Sequence, residues 1–297
     1  MSERAGILAA VASSAFGGGA AAVTRYAIGA TDPVMIAVFR FGLGFIFLLP
    51  VALALRVRWP RGHDWLGVAA LGIMFYGVFF GVYGEALVYT TAARGSLAVS
   101  TLPLLTMIVA SLLGREALTA RKTLGVLIAM GGVAIALAAG LADAPREAWR
   151  GDLIMLAGML SMALYNVLSR PFMARSSALG YAAAGMAFGS GCNFLIAWYG
   201  GSFRAVQAFG PAQWGAAVYL GVFGGALAFF LWVYALEQTT PTRVANTITV
   251  SPIAAALLAA VLIGEPIGVS LLIGIAGVAA GIWIASTERA KRHEPSA

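Results

Sequence analysis

The chain is a succession of apolar stretches, each about as long as a membrane is thick. A bilayer core of about 30 Å takes about 20 residues of helix. Runs of that length follow one another along nearly the whole chain, joined by connectors too short to form a soluble domain. They predict ten spans: Ala5–Ile28, Pro33–Leu55, Trp65–Tyr89, Ser96–Leu113, Arg121–Leu141, Asp152–Phe172, Leu179–Gly200, Trp214–Leu236, Arg243–Ile263 and Gly268–Ser286. Composition rules out the soluble alternative. Charged residues are 10% of the 297 and apolar residues 61%, whereas a soluble domain carries about 25% charged residues. Too little charge is present to cover a water-soluble fold. Lipid leaves a backbone only helix or closed barrel, and runs of this length select an all-α integral membrane protein.

The halves of the chain resemble each other. A shift of 149 residues aligns Trp65 with Trp214, Gly72 with Gly221, Ala86 and Leu87 with Ala235 and Leu236, and Thr90 and Thr91 with Thr239 and Thr240. The same register continues through Arg94 and Arg243, Pro103 and Pro252, Glu116 and Glu265, Gly125 and Gly274, and Gly132 and Gly281. Nearer the amino end a slightly different shift pairs Gly6 with Gly151, Leu8 with Leu153 and Arg25 with Arg170. Apolar composition alone aligns Ala and Leu; it does not align Trp, Arg, Pro and Glu without a gap. The repeats are placed at 1–141 and 151–286, with a basic tail at 287–297. Arg4, the apolar run after it and the small residues that follow would also suit a signal peptide; the matching segment in the second half argues for a retained helix.

Five spans per repeat is an odd number, so the second repeat enters the membrane from the opposite side, an inverted layout found in secondary transporters. The net charge of +7, from 19 Lys and Arg against 12 Asp and Glu, tests the orientation. With the amino end inside, the inner side holds Arg4, Arg56, Arg58, Arg61, Arg115, Arg121, Lys122, Arg170, Arg175, Arg243, Arg289, Lys291 and Arg292. The outer side holds only Arg25, Arg94, Arg146, Arg150 and Arg204. That excess is the positive-inside signature and puts both termini in the cytoplasm. The basic residues are scattered singly between apolar runs, so no nucleic-acid-binding stripe exists.

Catalytic and cofactor motifs are lacking. Cys192 is the single cysteine, and His63 and His293 lie in a connector and in the tail, away from other ligands, so no metal site is expected. Gly17 to Gly19 lie inside a span and do not form a phosphate loop. No cofactor is expected, and an intramembrane enzyme would need clustered His, Asp, Glu or Cys that the sequence does not offer.

The segment from Ala86 to Ser96, with Pro103 and Leu113 to Glu116 after it, resembles the repeat of EamA-type carriers of the drug/metabolite transporter superfamily. The second copy runs from Ala235 to Ala245, then Pro252, Ile263 to Glu265, and Gly274 to Gly281. The tract Phe39, Arg40, Phe41 is also similar to that family. One departure is Arg115, where the second copy has Gly264. The resemblance implies a ten-helix carrier of the bacterial inner membrane. It is closest to exporters of amino acids, aromatic ones included, with export of drugs or other metabolites as the alternative. It also implies that spans one, three, four, six, eight and nine line a cavity. Partners are then a small-molecule substrate and the lipid bilayer; the oligomeric state stays open.

Binding in inverted-repeat carriers falls near the midplane. On span three, Tyr76, Phe80 and Tyr83 fall near one face, with Phe79 beside them; Phe229, Phe230 and Trp232 occupy the matching part of span eight. Such rings make an apolar, stackable wall, or pack between helices or anchor at the interface. Tyr165, Asn166 and Asn246 are cavity candidates because an amide in hydrocarbon needs a partner; Asn193 ranks below them, and an interhelical bond is the competing reading. Ser100 is a weaker candidate, with Ser13, Ser14 and Thr101, since a hydroxyl can bond its own helix. Pro103 and Pro252 lie at matching places within spans and read as hinges or static kinks. Arg40 and Glu85 are the notable charges inside spans, read as gating or coupling residues, or as a structural ion pair with each other or snorkelling groups. Glu116 and Glu265 sit just before helix starts, where the helix dipole favours a carboxylate. Pairs such as Gly77 and Gly81, Gly185 and Gly189, Gly221 and Gly225, and Gly277 and Gly281 allow close helix approach within or between chains.

Overall fold

The computed structural model describes residues 3–28, 31–90, 92–136, 147–254, 257 and 269–286, all of the regular structure among them helical. Helix α1 spans Glu3–Ile28 and α2 spans Pro33–Ala54. Helix α3 covers residues 64–89, and α4 consists of Ala92–Val99 and Leu102–Leu112. Helix α5 is Ala120–Ala136, α6 Ala148–Arg175, α7 Ala178–Gly200 and α8 Pro211–Gln238. Helix α9 opens with Pro241–Asn246, and α10 is Val269–Ser286. The ends of the expected fifth and ninth spans at Leu141 and Ile263, the start of the tenth at Gly268, Glu265, and the tail 287–297 with His293 lie outside the described residues.

Among the described residues, five helices are long and apolar enough to cross a membrane: Pro33–Ala54, Asp64–Tyr83, Ala148–Arg175, Ala178–Gly200 and Pro211–Gln238. Shorter apolar helices cover Leu97–Leu112 and Leu272–Ala285. Their outer faces carry exposed Ile46, Leu53, Leu66, Leu112, Leu195 and Trp283. Water would penalise an apolar surface of this extent; lipid does not.

Local chemistry sets the helix ends. Asp32 caps α2, accepting a bond from the Met35 amide at 2.9 Å, with Pro33 at the first helical position. Ser177 caps α7 through the Gly180 amide at 3.1 Å. The same helix stops at Gly201, whose φ of 75° is the left-handed turn that favours glycine.

Packing follows a regular scheme. Helix α1 lies against α8 as α6 lies against α3; α2 against α8 as α7 against α3; and α1 against α9 as α6 against α4. Helices α4 and α9, α5 and α10, and α2 and α7 pair with one another. Exchanging each helix with the one five places along maps every pairing onto itself or its mate. Gly6 sits against Gln238 and Thr239, and Gly151 against Ala86 and Thr90. Helices α5 and α10 meet where Gly132 faces Gly274 to Val278 and Gly281 faces Gly125 and Ala129. Gly185 and Gly189 meet α3 at Gly72 and Tyr76, and Gly221 and Gly225 meet α2 at Leu43 and Arg40. These three pairs therefore serve contacts within the chain, whereas at Gly81, the mate of Gly77, nothing lies within 4 Å of a Cβ.

Among the described residues, three stretches are π-helical: Val38–Leu43 in α2, Ile73–Phe79 in α3 and Leu220–Leu227 in α8. Such turns are rare and frequent at functional sites. They surround the aromatic centre of the molecule.

Candidate functional site

The widened turn of α3 places Phe75, Tyr76 and Phe79 in the core, all 5% exposed or less. Phe75 stacks on Tyr165 of α6 at 4.3 Å between ring centroids. Phe41 of α2 meets Tyr76, Phe80 and Phe229 at 5.1, 4.6 and 5.5 Å. Phe79 packs over Gly158, and half-buried Tyr83 lies 6.2 Å from the Phe79 ring. These offset and edge-on geometries are the favoured ones for aromatic pairs.

The polar candidates are bonded to one another within this cluster. The Tyr76 and Tyr165 hydroxyls lie 3.0 Å apart, and Tyr181 meets Ser169 at 2.5 Å. The Trp232 indole donates to Asn166 Oδ1 at 2.9 Å, and Asn166 Nδ2 donates to Thr106 at 3.5 Å. Asn193 donates to the Tyr76 carbonyl at 2.8 Å. Asn246 donates to the Gly281 carbonyl at 3.4 Å, while its own Oδ1 is buried without an acceptor role. Ser100 bonds the Leu97 carbonyl of its own helix; Ser13 reaches Ala228 O, and Ser14 meets Thr247. Tyr76, Ser100, Tyr165, Asn166 and Asn246 are wholly buried, and Trp232 is 2% exposed. In this conformation Tyr76, Tyr165, Asn166 and Trp232 form a buried, hydrogen-bonded plug, while Phe80 and Tyr83 are half-buried and Ser100 and Asn246 bond elsewhere. Hydrogen-bond partners hold the plug shut, because an unpaired polar group there costs about 1–3 kcal/mol.

Open space lies elsewhere. A cleft of about 340 Å³ is lined by Glu85, Tyr89, Trp149, Arg150, Leu153 and Ile154. A pocket of about 10 Å³, between Ala27, Ile36, Phe39, Phe209 and Leu220, has room for one water.

Arg40 and Glu85 do not pair. The Arg40 Nε donates to the Gly224 carbonyl at 2.9 Å, and its guanidinium lies over the Phe80, Phe229 and Phe41 rings at 4.8, 5.5 and 5.7 Å. Glu85 is exposed at the cleft beside Arg150. The two side chains leave α2 and α3 toward different surroundings, which sequence spacing could not reveal.

The prolines also differ from the expectation of kinks within continuous helices. Helix α4 is interrupted at Ser100 and Thr101, and Pro103 occupies the first turn of the second piece, where its missing N–H costs little. Helix α9 tightens to a 3₁₀ turn at Thr247–Thr249, three residues before Pro252.

Opposite ends of the bundle are closed by similar contacts. At one, Glu3 pairs with buried Arg243 and accepts from Thr239 at 3.1 Å. At the other, Asp152 accepts from Thr90 at 2.8 Å. Glu116 was expected to serve the helix that follows it. It accepts instead from the Thr242 amide at the start of α9, at 3.1 Å, and from Lys122 at 3.2 Å. Sequence reasoning missed Glu3, Phe75, Thr106 and Tyr181; a lone Tyr in the Ala-rich start of α7 was the one visible signal.

The sequence matches the EamA-like transporter family twice, over residues 4–138 and 149–287. The chain belongs to the EamA-like transporter family. This transporter is 24% identical over 278 residues to YyaM, an uncharacterized transporter of Bacillus subtilis, covering 92% of this chain and 90% of that one. It is 28% identical over 262 residues to a probable terminal-alkyne amino-acid exporter of Streptantibioticus cattleyicolor, covering 86% and 85%. A solved crystal structure superposes with a TM-score of 0.78 at 22% identity, over 96% of this chain and 98% of that chain, and so shares its fold. Family membership makes the protein a membrane transporter of small molecules and sets aside the intramembrane enzyme.

Proposed function

We propose that this EamA-like transporter exports small organic metabolites, foremost amino acids including aromatic ones, across the bacterial cytoplasmic membrane. It has ten spans in two inverted repeats, 1–141 and 151–286, and both termini face the cytoplasm. Substrate reaches a central site between the halves by alternating access. The plug of Tyr76, Tyr165, Asn166 and Trp232 parts to admit it.

One relation carries this reading. Gly151, Thr90 and Asp152 close one end of the bundle, and Gly6, Thr239 and Glu3 close the other. Gly6 matches Gly151 and Thr90 matches Thr239 in the repeat. Two like seals at opposite ends are what a carrier needs to open one side while holding the other. The amino-acid assignment draws on the exporter from Streptantibioticus cattleyicolor and on the aromatic lining of the centre.

Counterflow of radiolabelled amino acids in proteoliposomes tests it. Accumulation of aromatic amino acids above protein-free vesicles is expected. Failure across a broad amino-acid panel by intact protein, with efflux of other metabolites or cationic dyes retained, would overturn the amino-acid assignment in favour of a drug or metabolite carrier.

A further inference from the structure

Arg40 is a cation inside a membrane-spanning helix that pairs with no carboxylate among the described residues. Its Nε–H is taken by the Gly224 carbonyl. The remaining donors, the two terminal NH₂ groups, make no hydrogen bond among the described residues. Among the described residues the ion pairs are Lys122 with Glu116, Arg150 with Glu147, Arg175 with Asp64 and Arg243 with Glu3; Arg40 joins none of them. An arginine is always charged, and an unneutralised charge at this depth is costly and marks function by default.

The surroundings hold the charge in place without cancelling it. The faces of Phe80, Phe229 and Phe41 frame the guanidinium, whose charge is attracted by the ring quadrupoles. The carbonyl of Gly224 fixes its orientation. Gly224 and Arg40 both lie in π-helical turns, at Leu220–Leu227 and Val38–Leu43, and the third such turn, Ile73–Phe79, ends one residue before Phe80. Three uncommon backbone turns thus converge on one cation and its rings. A paired structural arginine needs no such construction.

We infer that Arg40 is the anchor for the carboxylate of the transported substrate. Its two open NH₂ groups match the two oxygens of a carboxylate in bidentate geometry. The rings of Phe41, Phe80 and Phe229 lie beside it for an apolar or aromatic side chain. The class of ligand is therefore an amphipathic organic acid, recognised by its carboxylate first and its apolar body second. An amino group is not required by this site. The inference rests on the transport reading and narrows it.

The test is titration calorimetry on the purified full-length chain with L-phenylalanine, 3-phenylpropionate, L-phenylalanine methyl ester and phenethylamine. The two carboxylates are expected to bind more tightly than the ester and the amine by roughly tenfold or more, the worth of a hydrogen bond to a charged group. Arg40→Gln should reduce the carboxylates to the level of the ester. Arg40→Lys should fall between, because an ammonium is a point charge and not a fork. Equal binding of acid and ester by the unaltered chain overturns the inference with no variant involved. So does an Arg40→Gln protein that keeps full affinity for 3-phenylpropionate, or an unaltered chain that binds none of the four. Arg40-dependent binding without counterflow of any amino acid would sink the export assignment alone. Counterflow with no acid-over-ester preference would sink only the role of Arg40.

Discussion

The Ser100 and Thr249 hydroxyls make the same bond at matching places in the two repeats. Ser100 donates to the Leu97 carbonyl at 2.6 Å and Thr249 to the Asn246 carbonyl at 2.7 Å. Each bond lies three residues before a matched proline, Pro103 or Pro252, where the helix is interrupted in one copy and tightened in the other. A hydroxyl that takes a carbonyl of its own preceding turn competes with helix hydrogen bonding and bends the helix. Replacing either hydroxyl, by Ser100→Ala or Thr249→Val, should straighten its turn and slow counterflow. A shared mechanical role for the two breaks predicts that the two single variants act in the same direction. Opposite effects on the exchange rate would show that they do not.

The bond between Trp232 and Asn166 predicts a thermodynamic coupling. Trp232→Phe leaves Asn166 Oδ1 buried without its donor, a loss of about 1–3 kcal/mol. Asn166→Leu should cost a similar amount. The double variant should be less damaging than the sum of the singles, since no orphaned partner remains. Melting of the four proteins in detergent gives the cycle; strict additivity would mean that the bond contributes nothing.

Gly131 and Gly132 are neighbours with opposite expectations. A Cβ at Gly132 would meet Val278 N at 2.8 Å and Gly274 O at 2.9 Å, both backbone atoms that cannot swing away. At Gly131 nothing lies within 4 Å. Gly132→Ala should therefore destabilise by about 1–3 kcal/mol through overpacking of α5 on α10. Gly131→Ala should be neutral or stabilise by up to about 1 kcal/mol through helix propensity. The order of the two melting temperatures decides.

Glu116 has two duties that graded substitutions separate. Gln keeps an acceptor for the Thr242 amide but gives up the charge opposite Lys122; Ala loses both. Glu116→Ala should lower stability by about 0.5–2 kcal/mol as a lost cap, and Glu116→Gln by less. If Gln is as harmful as Ala in a thermal melt, the charge matters and the cap does not.

Glu85 stands exposed at an open cleft, apart from Arg40 and the aromatic centre. Glu85→Gln should leave any dependence of counterflow on a pH gradient as it is in the unaltered chain. Loss of that dependence would assign coupling to Glu85.

Much of the fold was legible in the sequence because lipid reads hydropathy along contiguous windows. The runs that became α2, α3, α6, α7 and α8 stand out without any knowledge of their neighbours, and Gly6 and Gly151 could be matched by alignment alone. The aromatic face of α3 was also readable, since its spacing is a property of one helix. What could not be read was which atom each side chain meets. Arg40 and Glu85 looked like partners because other charges lay nearer the span ends, yet the turn of each helix about its axis sends Arg40 to Gly224 and Glu85 to a cleft. Glu116 looked like a cap for the helix after it and instead caps α9, 126 residues away in sequence. The sequence by itself determined a membrane-embedded helical chain with an internal repeat, because the cost of burying polar backbone and charge in lipid acts locally. Only the tertiary structure decided that Tyr76, Tyr165, Asn166 and Trp232 are buried in mutual contact and that Arg40 bonds Gly224 and not a carboxylate, because helix rotation and the close approach of glycine-bearing faces fix those contacts across the whole bundle.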